Sequence, residues 1–241
     1  MIPLSLRIMP RLSLAIPTCD YHGKGDALLD DLLRTVQIQS FKDFEVVISD
    51  HSEDDKIETK VQEFSELFDV KYHRNSNKRG NSPANLNKAI SLCTGEIIKI
   101  MFQDDFFYDD EAFEKIYYNL AGDVSKSWLL CGTNHTQDDG HNFFCDIFPR
   151  FNDNLLDGVN TISSPSVVAF KKDVLVRFDE ELTYLMDIDF YYNMRKTHGE
   201  PIYYDDVLVT NRIHQDSISS NITNREELLQ NESIYCKQKY D

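Results

Sequence analysis

Short apolar runs alternate with amphipathic, helix-length stretches over the first 105 residues, and this alternation confines the chain to a sheet of mainly parallel strands with helices on both faces. Residues 12–17 form the first run, with Pro17 at the exit and a polar loop over 18–26. Residues 27–38 keep a helical period through Leu28, Leu29, Leu32, Leu33 and Val36. A strand over 44–48, a helix over 56–68 and a short strand over 70–72 come next. Residues 83–93 then read as a helix, with Ser82 as N-cap and Pro83 in the first turn. Gly95 ends that helix and admits a strand over 97–102.

Acids collect where the strands end. The run 97–102 delivers Asp104 and Asp105, and the run 44–48 is followed by Asp50, Ser52, Glu53, Asp54 and Asp55. Open α/β sheets bind ligands at the C-terminal ends of their strands. Two adjacent carboxylates repel one another, and a divalent cation that bridges them to phosphate relieves the repulsion. A solvated turn is the plainer reading of the same two residues.

The second half is less regular. A helix over 109–121, entered through Asp109, Asp110 and Glu111, precedes a strand over 128–133 and a loop over 134–142. A strand over 166–170, a short helix over 172–178, a helix over 187–196 and two strands over 202–204 and 207–209 complete the order. Phe106, Phe107, Tyr108, Tyr117 and Tyr118 are assigned to the core rather than to a ligand platform. The tail, 221–241, reads as a frayed surface helix, with an amphipathic contact to a membrane or partner as the alternative.

Composition narrows the function. A net charge of −16, from 41 acids and 25 bases, argues against nucleic acid as a partner and against direct attraction to anionic lipid. The five cysteines are odd in number and never spaced as CxxC, which favours a reducing compartment over a zinc site or a disulfide framework. Residues 1–10 lack the apolar core of a signal peptide, and no run approaches a membrane span. The expected location is therefore the cytoplasm. The patterned sequence begins at Arg11, which leaves Met9 as well as Met1 a candidate start.

Six segments in order resemble the family 2 glycosyltransferases of the GT-A fold, over roughly residues 11–220. Residues 12–18 are similar to the opening strand, and 46–54 to the second strand and acidic loop. The stretch from Arg79 to Asn87, running on to Gly95 and Ile98, resembles the family's polar lead into a helix, glycine and strand. Gln103-Asp104-Asp105 resembles its DXD motif in a QDD form, and Met186-Asp187-Ile188-Asp189-Phe190 its Glu-Asp-x-Asp-Leu segment. The segment from Asn211 to Ser217 resembles its Tyr-Arg-x-His-x-x-Ser segment.

The resemblance implies a Rossmann-like sheet with a nucleotide-sugar-binding half over 11–108, an acceptor-binding and catalytic-base half over 109–220, and a tail. It implies an inverting transfer from a nucleotide-diphosphate sugar, in the first instance a UDP-sugar, to a hydroxyl of a glycan or polyprenyl-diphosphate-linked glycan. The process implied is synthesis of O-antigen, capsule or similar surface polysaccharide at the inner face of the cytoplasmic membrane. Asp105 would bind Mn2+ or Mg2+, with His214 helping to bind metal or phosphate, and Asp104 would contact the ribose or support the metal ligands from behind. Thr18, Asp20, Asp50, Ser52, Arg79, Asn87 and Arg212 would contact the donor. Asp187 would be the base, with Asp189 as second candidate, although i and i+2 on a helix point different ways.

Taken singly, these residues have plainer readings. Asp187 suits a helix N-terminus, His214 a structural histidine, and Asp50 a turn. Two other functions share the architecture: a sugar-phosphate nucleotidyltransferase, for which residues 18–26 lack a Gly-rich basic phosphate loop, and a non-catalytic nucleotide or glycan module.

Overall fold

The computed structural model describes residues 9–20, 23–214 and 223–240. Strand β1 (Leu12–Thr18) is buried along its whole length and lies between β2 (Phe44–Asp50) and β4 (Ile97–Ile100), parallel to both. A strand buried on both faces must be apolar throughout, which is why its sequence shows no alternation. β3 (Val70–Arg74) extends the parallel set beside β2. Helices α1 (Gly25–Gln37), α2 (Lys56–Phe64) and α3 (Ser82–Leu92) supply the crossovers. α1 buries Leu29, Leu32, Leu33 and Val36, one face of its helical period.

β8 (Val168–Lys171) then runs antiparallel between β4 and β6 (Trp128–Thr136). β9 (Ile202–Arg212) is parallel to β6, β5 (Phe106–Phe107) is antiparallel to β9, and β7 (Phe144–Ile147) hangs on β6. The resulting order is β3-β2-β1-β4-β8-β6-β9-β5, so one sheet runs through both halves of the sequence. Helix α4 (Ala112–Gly122) follows β5, α5 (Met186–His198) precedes β9, and α6 (Arg225–Tyr240) comes last.

Several expectations are corrected. Asn81, not Ser82, caps α3, its Oδ1 accepting from Ala84 N at 2.8 Å. Gly95 does not end α3, which closes at Cys93. A side chain at Gly95 would lie 2.8 Å from the Ser13 backbone nitrogen, so this glycine lets the chain pass close against β1. Residues 172–178 are not helical. The backbone N–H and C=O of Phe178 are taken instead by the Asn87 carboxamide, at 3.0 and 2.9 Å. The two strands expected over 202–209 are one, with a register irregularity opposite Gly132. Tyr108 and Tyr118 are half exposed, whereas Phe107 and Tyr117 join the core.

Within its described residues the tail is an ordered helix rather than a frayed one. α6 buries Glu232, Ser233 and Cys236 against the body.

A buried polar latch holds the parallel half together. Glu45 is fully buried in β2 and accepts from Ser13 Oγ at 2.6 Å and Thr94 N at 2.6 Å, with Lys71 of β3 as its counter-ion. Burial pulls the Glu45 pKa upward, but the contacts with Lys71, Ser13 and Thr94 outweigh it and hold the group below the usual carboxylate range. Its contribution to stability is therefore present above the unfolded pKa and is lost as pH falls through the folded one. Glu45→Ala should lower unfolding free energy by about 1–3 kcal/mol through the buried donors it strands. Urea denaturation at neutral pH checks this, and an unchanged midpoint would contradict the latch.

Candidate active site

β4 stops at Ile100, and the following turn carries the acidic pair across the sheet's C-terminal edge. Met101 N continues the ladder to Ala15 O at 3.0 Å, and Phe102 N donates to Ser166 Oγ at 2.9 Å. Gln103, where the strict motif has an Asp, clamps the turn to the exit of β1. Its Oε1 accepts from Cys19 N at 2.9 Å and its Nε2 donates to Cys19 O at 2.7 Å.

Asp105 faces inward and is 5% exposed. It accepts from Asn211 Nδ2 at 2.8 Å, Ser164 Oγ at 3.2 Å and Arg212 N at 3.2 Å. Burial, reinforced by the neighbouring Asp104 charge, pushes its pKa up to about 7. Asp104 faces outward, 3.2 Å from His214 Nε2. Arg212 lies beside the pair, donating to Asp104 O at 3.2 Å and to Asp31 at 3.1 Å, and paired with Asp139. Residues 215–217 of the same motif lie outside the described residues.

Beneath the acids lies Lys99, a fully buried lysine in an otherwise apolar strand. Its ammonium donates to the carbonyls of Ile100, Ser166 and Val168. Burial lowers its pKa to about 8. Sequence reasoning passed over it, although a lysine inside a central strand was the available signal.

Asp187 enters from the other side, at the start of α5, and is partly buried. Its Oδ2 accepts from Asn160 Nδ2 at 2.8 Å and its Oδ1 from Ile188 N at 2.8 Å. Loss of water pushes its pKa up to about 7. Asn160 organises the loop over 160–164, accepting from Ile162 N and Ser163 N. Ser163, held at φ 94, donates from Oγ to Asn211 Oδ1 at 2.8 Å, and its carbonyl accepts from Tyr191 OH at 2.9 Å. A continuous path therefore joins the two acids: Asp187, Asn160, Ser163, Asn211, Asp105.

Asp189 is fully buried and turns to another face of α5, where Lys239 and Tyr240 of α6 hold it at 2.9 and 2.8 Å.

The remaining candidates gather at the C-terminal ends of β1 and β2. Asp20, Ser52 and Arg79 line a cleft of about 550 Å³ together with Cys19, His51, Glu53, Asp54 and Gly80. Asp20 caps the start of α1 through Gly25 N at 2.8 Å, pairs with Lys56 at 2.7 Å, and gives its own N–H to Ser52 Oγ at 2.6 Å. Arg79 pairs with Glu53 at 3.1 Å. Asp50 is buried, accepting from Tyr72 OH at 2.7 Å and Ser52 N at 2.8 Å. Thr18 is buried, its carbonyl accepting from His51 N at 2.9 Å and Asn85 Nδ2 at 3.0 Å. The Asn87 carboxamide is taken up by Phe178 and Glu180. His51 Nε2, buried at the cleft wall, has no hydrogen-bond partner among the described residues.

Asp104, Asp105 and His214 are the side chains that could hold a cation. Carboxylate oxygens with one imidazole suit Mn2+ or Mg2+. Among the described residues no three His, Cys, Asp or Glu side chains converge tightly enough to hold an ion unaided. An ion here would complete its shell with substrate phosphate and water, as Mg2+ commonly does.

Comparison with known proteins bears on the family and the fold. The sequence profile of glycosyl transferase family 2 matches residues 13–178. A GalNAc(5)-diNAcBac-PP-undecaprenol beta-1,3-glucosyltransferase of Campylobacter jejuni is 31% identical over 98 residues, 40% of this chain and 30% of that protein. This chain thus spans less than a third of that relative in the match. An uncharacterized glycosyltransferase of Rickettsia typhi is 24% identical over 233 residues, 90% of this chain and 69% of that protein. In three dimensions the chain is similar to S. aureus TarS residues 1–349 in complex with UDP-GlcNAc. The TM-score is 0.69 at 18% identity, covering 92% of this chain and 64% of that one. It is also similar to the mannosyltransferase PcManGT of Pyrobaculum calidifontis in complex with GDP-Man and Mn2+. There the TM-score is 0.62 at 19% identity, covering 85% and 57%. These likenesses establish the GT-A fold.

The two neighbouring acids should separate in stability measurements. Asp105→Ala strands the donors of Asn211 and Ser164 and should cost about 1–3 kcal/mol, whereas Asp104→Ala, at the rim, should stay within about 0.5 kcal/mol of the parent. Thermal unfolding of both variants checks this; equal losses would contradict the inward and outward assignment.

Proposed function

The chain belongs to glycosyl transferase family 2, and we propose that it transfers a sugar from a nucleoside-diphosphate donor, a UDP-sugar, to a hydroxyl of a lipid-linked glycan, with Asp187 as the base. The observation that carries this reading is the hydrogen-bonded path through Asn160, Ser163 and Asn211 that joins the buried Asp105 to the partly buried Asp187. One sits beside an outward carboxylate, a histidine and an arginine. The other stands apart from them with a neutral amide as its side-chain partner.

The family frame supports a donor diphosphate at Asp104, Asp105 and His214, with the nucleoside in the cleft lined by Asp20, Ser52 and Arg79. A divalent cation held by Asp104, Asp105 and His214 would supply Lewis-acid stabilisation of the departing diphosphate. Arg212 adds fixed positive charge beside that position, and the Asp31 and Asp139 carboxylates orient its guanidinium. Asp187, once ionised, takes the proton of the acceptor hydroxyl as its oxygen bonds to the anomeric carbon and the bond from that carbon to phosphate oxygen breaks. A single displacement of this kind inverts the anomeric centre.

The acceptor class rests on the lipid-linked substrate in the Campylobacter protein's name. No helix among the described residues is long and apolar enough to cross a membrane. The same proposal places work on a lipid-linked acceptor at the inner face of the cytoplasmic membrane, through peripheral contact. The biological role that fits is surface-polysaccharide synthesis.

A screen of nucleotide sugars for hydrolysis and transfer with Mn2+ present tests the donor class. Because the Asp187 carboxylate is the working form, kcat should fall as pH drops through about 7. Asn160→Ala removes a hydrogen bond that favours the ionised form and should move this limb to higher pH. Asp187→Asn should reduce kcat about 10²–10⁴-fold with KM for the donor unchanged. A profile flat down to pH 5 would reject Asp187 as the base.

A further inference from the structure

Helix α6 touches both segments that place the base. Glu232 is 6% exposed, and its carboxylate receives three successive backbone N–H groups: Thr183 at 2.8 Å, Tyr184 at 2.9 Å and Leu185 at 2.7 Å. Those residues form the turn immediately before α5, two to four positions ahead of Asp187. Two turns of α6 further on, Lys239 and Tyr240 grip Asp189, two positions beyond Asp187. The base is thus bracketed on both sides along the chain by contacts from one helix.

The same helix holds the segment that leads to Asn160. Ser233 Oγ donates to Leu156 O at 2.7 Å, and Lys237 pairs with Asp157. Leu229 packs over Gly158, where a side chain would overlap its Cδ1. Asn160, two residues on, donates to Asp187. α6 therefore sets both the carboxylate and the amide that orients it.

We propose that Glu232 is a positioning residue for the transfer reaction, and that α6 is the part of the fold that fixes Asp187 against Asn160. This rests on Asp187 being the base. A buried carboxylate that satisfies three N–H groups is a rigid anchor, because leaving those donors unpaired is costly. Nothing in that anchor touches the donor cleft, so its loss acts on the chemical step rather than on donor binding. A displacement of the base by about 1 Å is enough to cost a large factor in rate.

The charge of Glu232 offers a second readout. It faces Asp187 from α6 and helps raise its pKa, after desolvation. Tyr191 of α5 is also close to Asp187, and lies near Asp105 as well. The 160–164 loop presents only the neutral Asn160, and Asp189 is turned away onto Lys239.

The experiment compares the full chain with Glu232→Ala, Glu232→Gln and Asp187→Asn, measuring kcat, donor KM and the pH profile of transfer. Glu232→Ala should lower kcat about tenfold or more with donor KM within about twofold. Glu232→Gln keeps the shape and one acceptor; it should recover part of kcat and shift the acid limb to lower pH, because a negative neighbour has been removed. If the alanine variant fails to fold, the glutamine variant decides by its limb. Wild-type kcat and an unmoved limb in Glu232→Gln, with Asp187→Asn inactive, would overturn the inference while leaving the base in place. Full transfer by Asp187→Asn would overturn the base assignment, and the inference with it.

Discussion

Asn211 is the residue on which the site depends, because it is the last link between two carboxylates that approach from different parts of the fold. Its amide nitrogen donates to Asp105 and Ser164, and its oxygen accepts from Thr133 and Ser163. A fully satisfied buried amide of this kind has one geometry open to it. Through Ser163 and Asn160 that geometry passes to Asp187. The two acids share elevated pKa values but not surroundings. Burial raises both; Asp105 is further crowded by the adjacent Asp104, whereas Asp187 has the neutral Asn160 amide as its side-chain partner and Glu232 as a lesser like charge.

The rest of the fold serves this link from below and from behind. β1, β2 and β4 bring the acidic turn to the sheet edge, and Gln103 pins it to Cys19. β8 crosses antiparallel at the point where Lys99 gathers the carbonyls of Ile100, Ser166 and Val168, and so seats Ser166 under Phe102. α6 closes the structure behind α5. Among the described residues of this acidic protein, Lys99 is fully buried beneath the acidic turn and the Arg212 side chain is largely buried beside it.

The first half of the fold was legible because its signals are local. Buried parallel strands read as unbroken apolar runs, and α1 shows its face through leucine spacing. The acids at the strand tips and the Asp187 segment were legible as motifs. The joinery between them was not. Asn160, Ser163 and Asn211 are polar residues in polar surroundings, and nothing in their spacing shows that they meet across some fifty positions of sequence. Glu232 reads as an ordinary helix-surface acid until α6 is folded onto the turn over 183–185. The failed helix over 172–178 did carry a local sign: Val174, Val176 and Phe178 are buried and Leu175 is exposed, the period of an extended segment, and the distant Asn87 amide takes the Phe178 backbone.

The central claim is a division of labour, with donor and cation at Asp104, Asp105 and His214, and proton removal at Asp187. Calorimetric titration of UDP, with and without Mn2+, into the parent chain, Asp105→Asn and Asp187→Asn addresses it most directly. The account predicts Mn2+-strengthened UDP binding in the parent and in Asp187→Asn, and loss of that strengthening in Asp105→Asn. Equal affinity in all samples, or loss of the Mn2+ effect in Asp187→Asn instead, would contradict it.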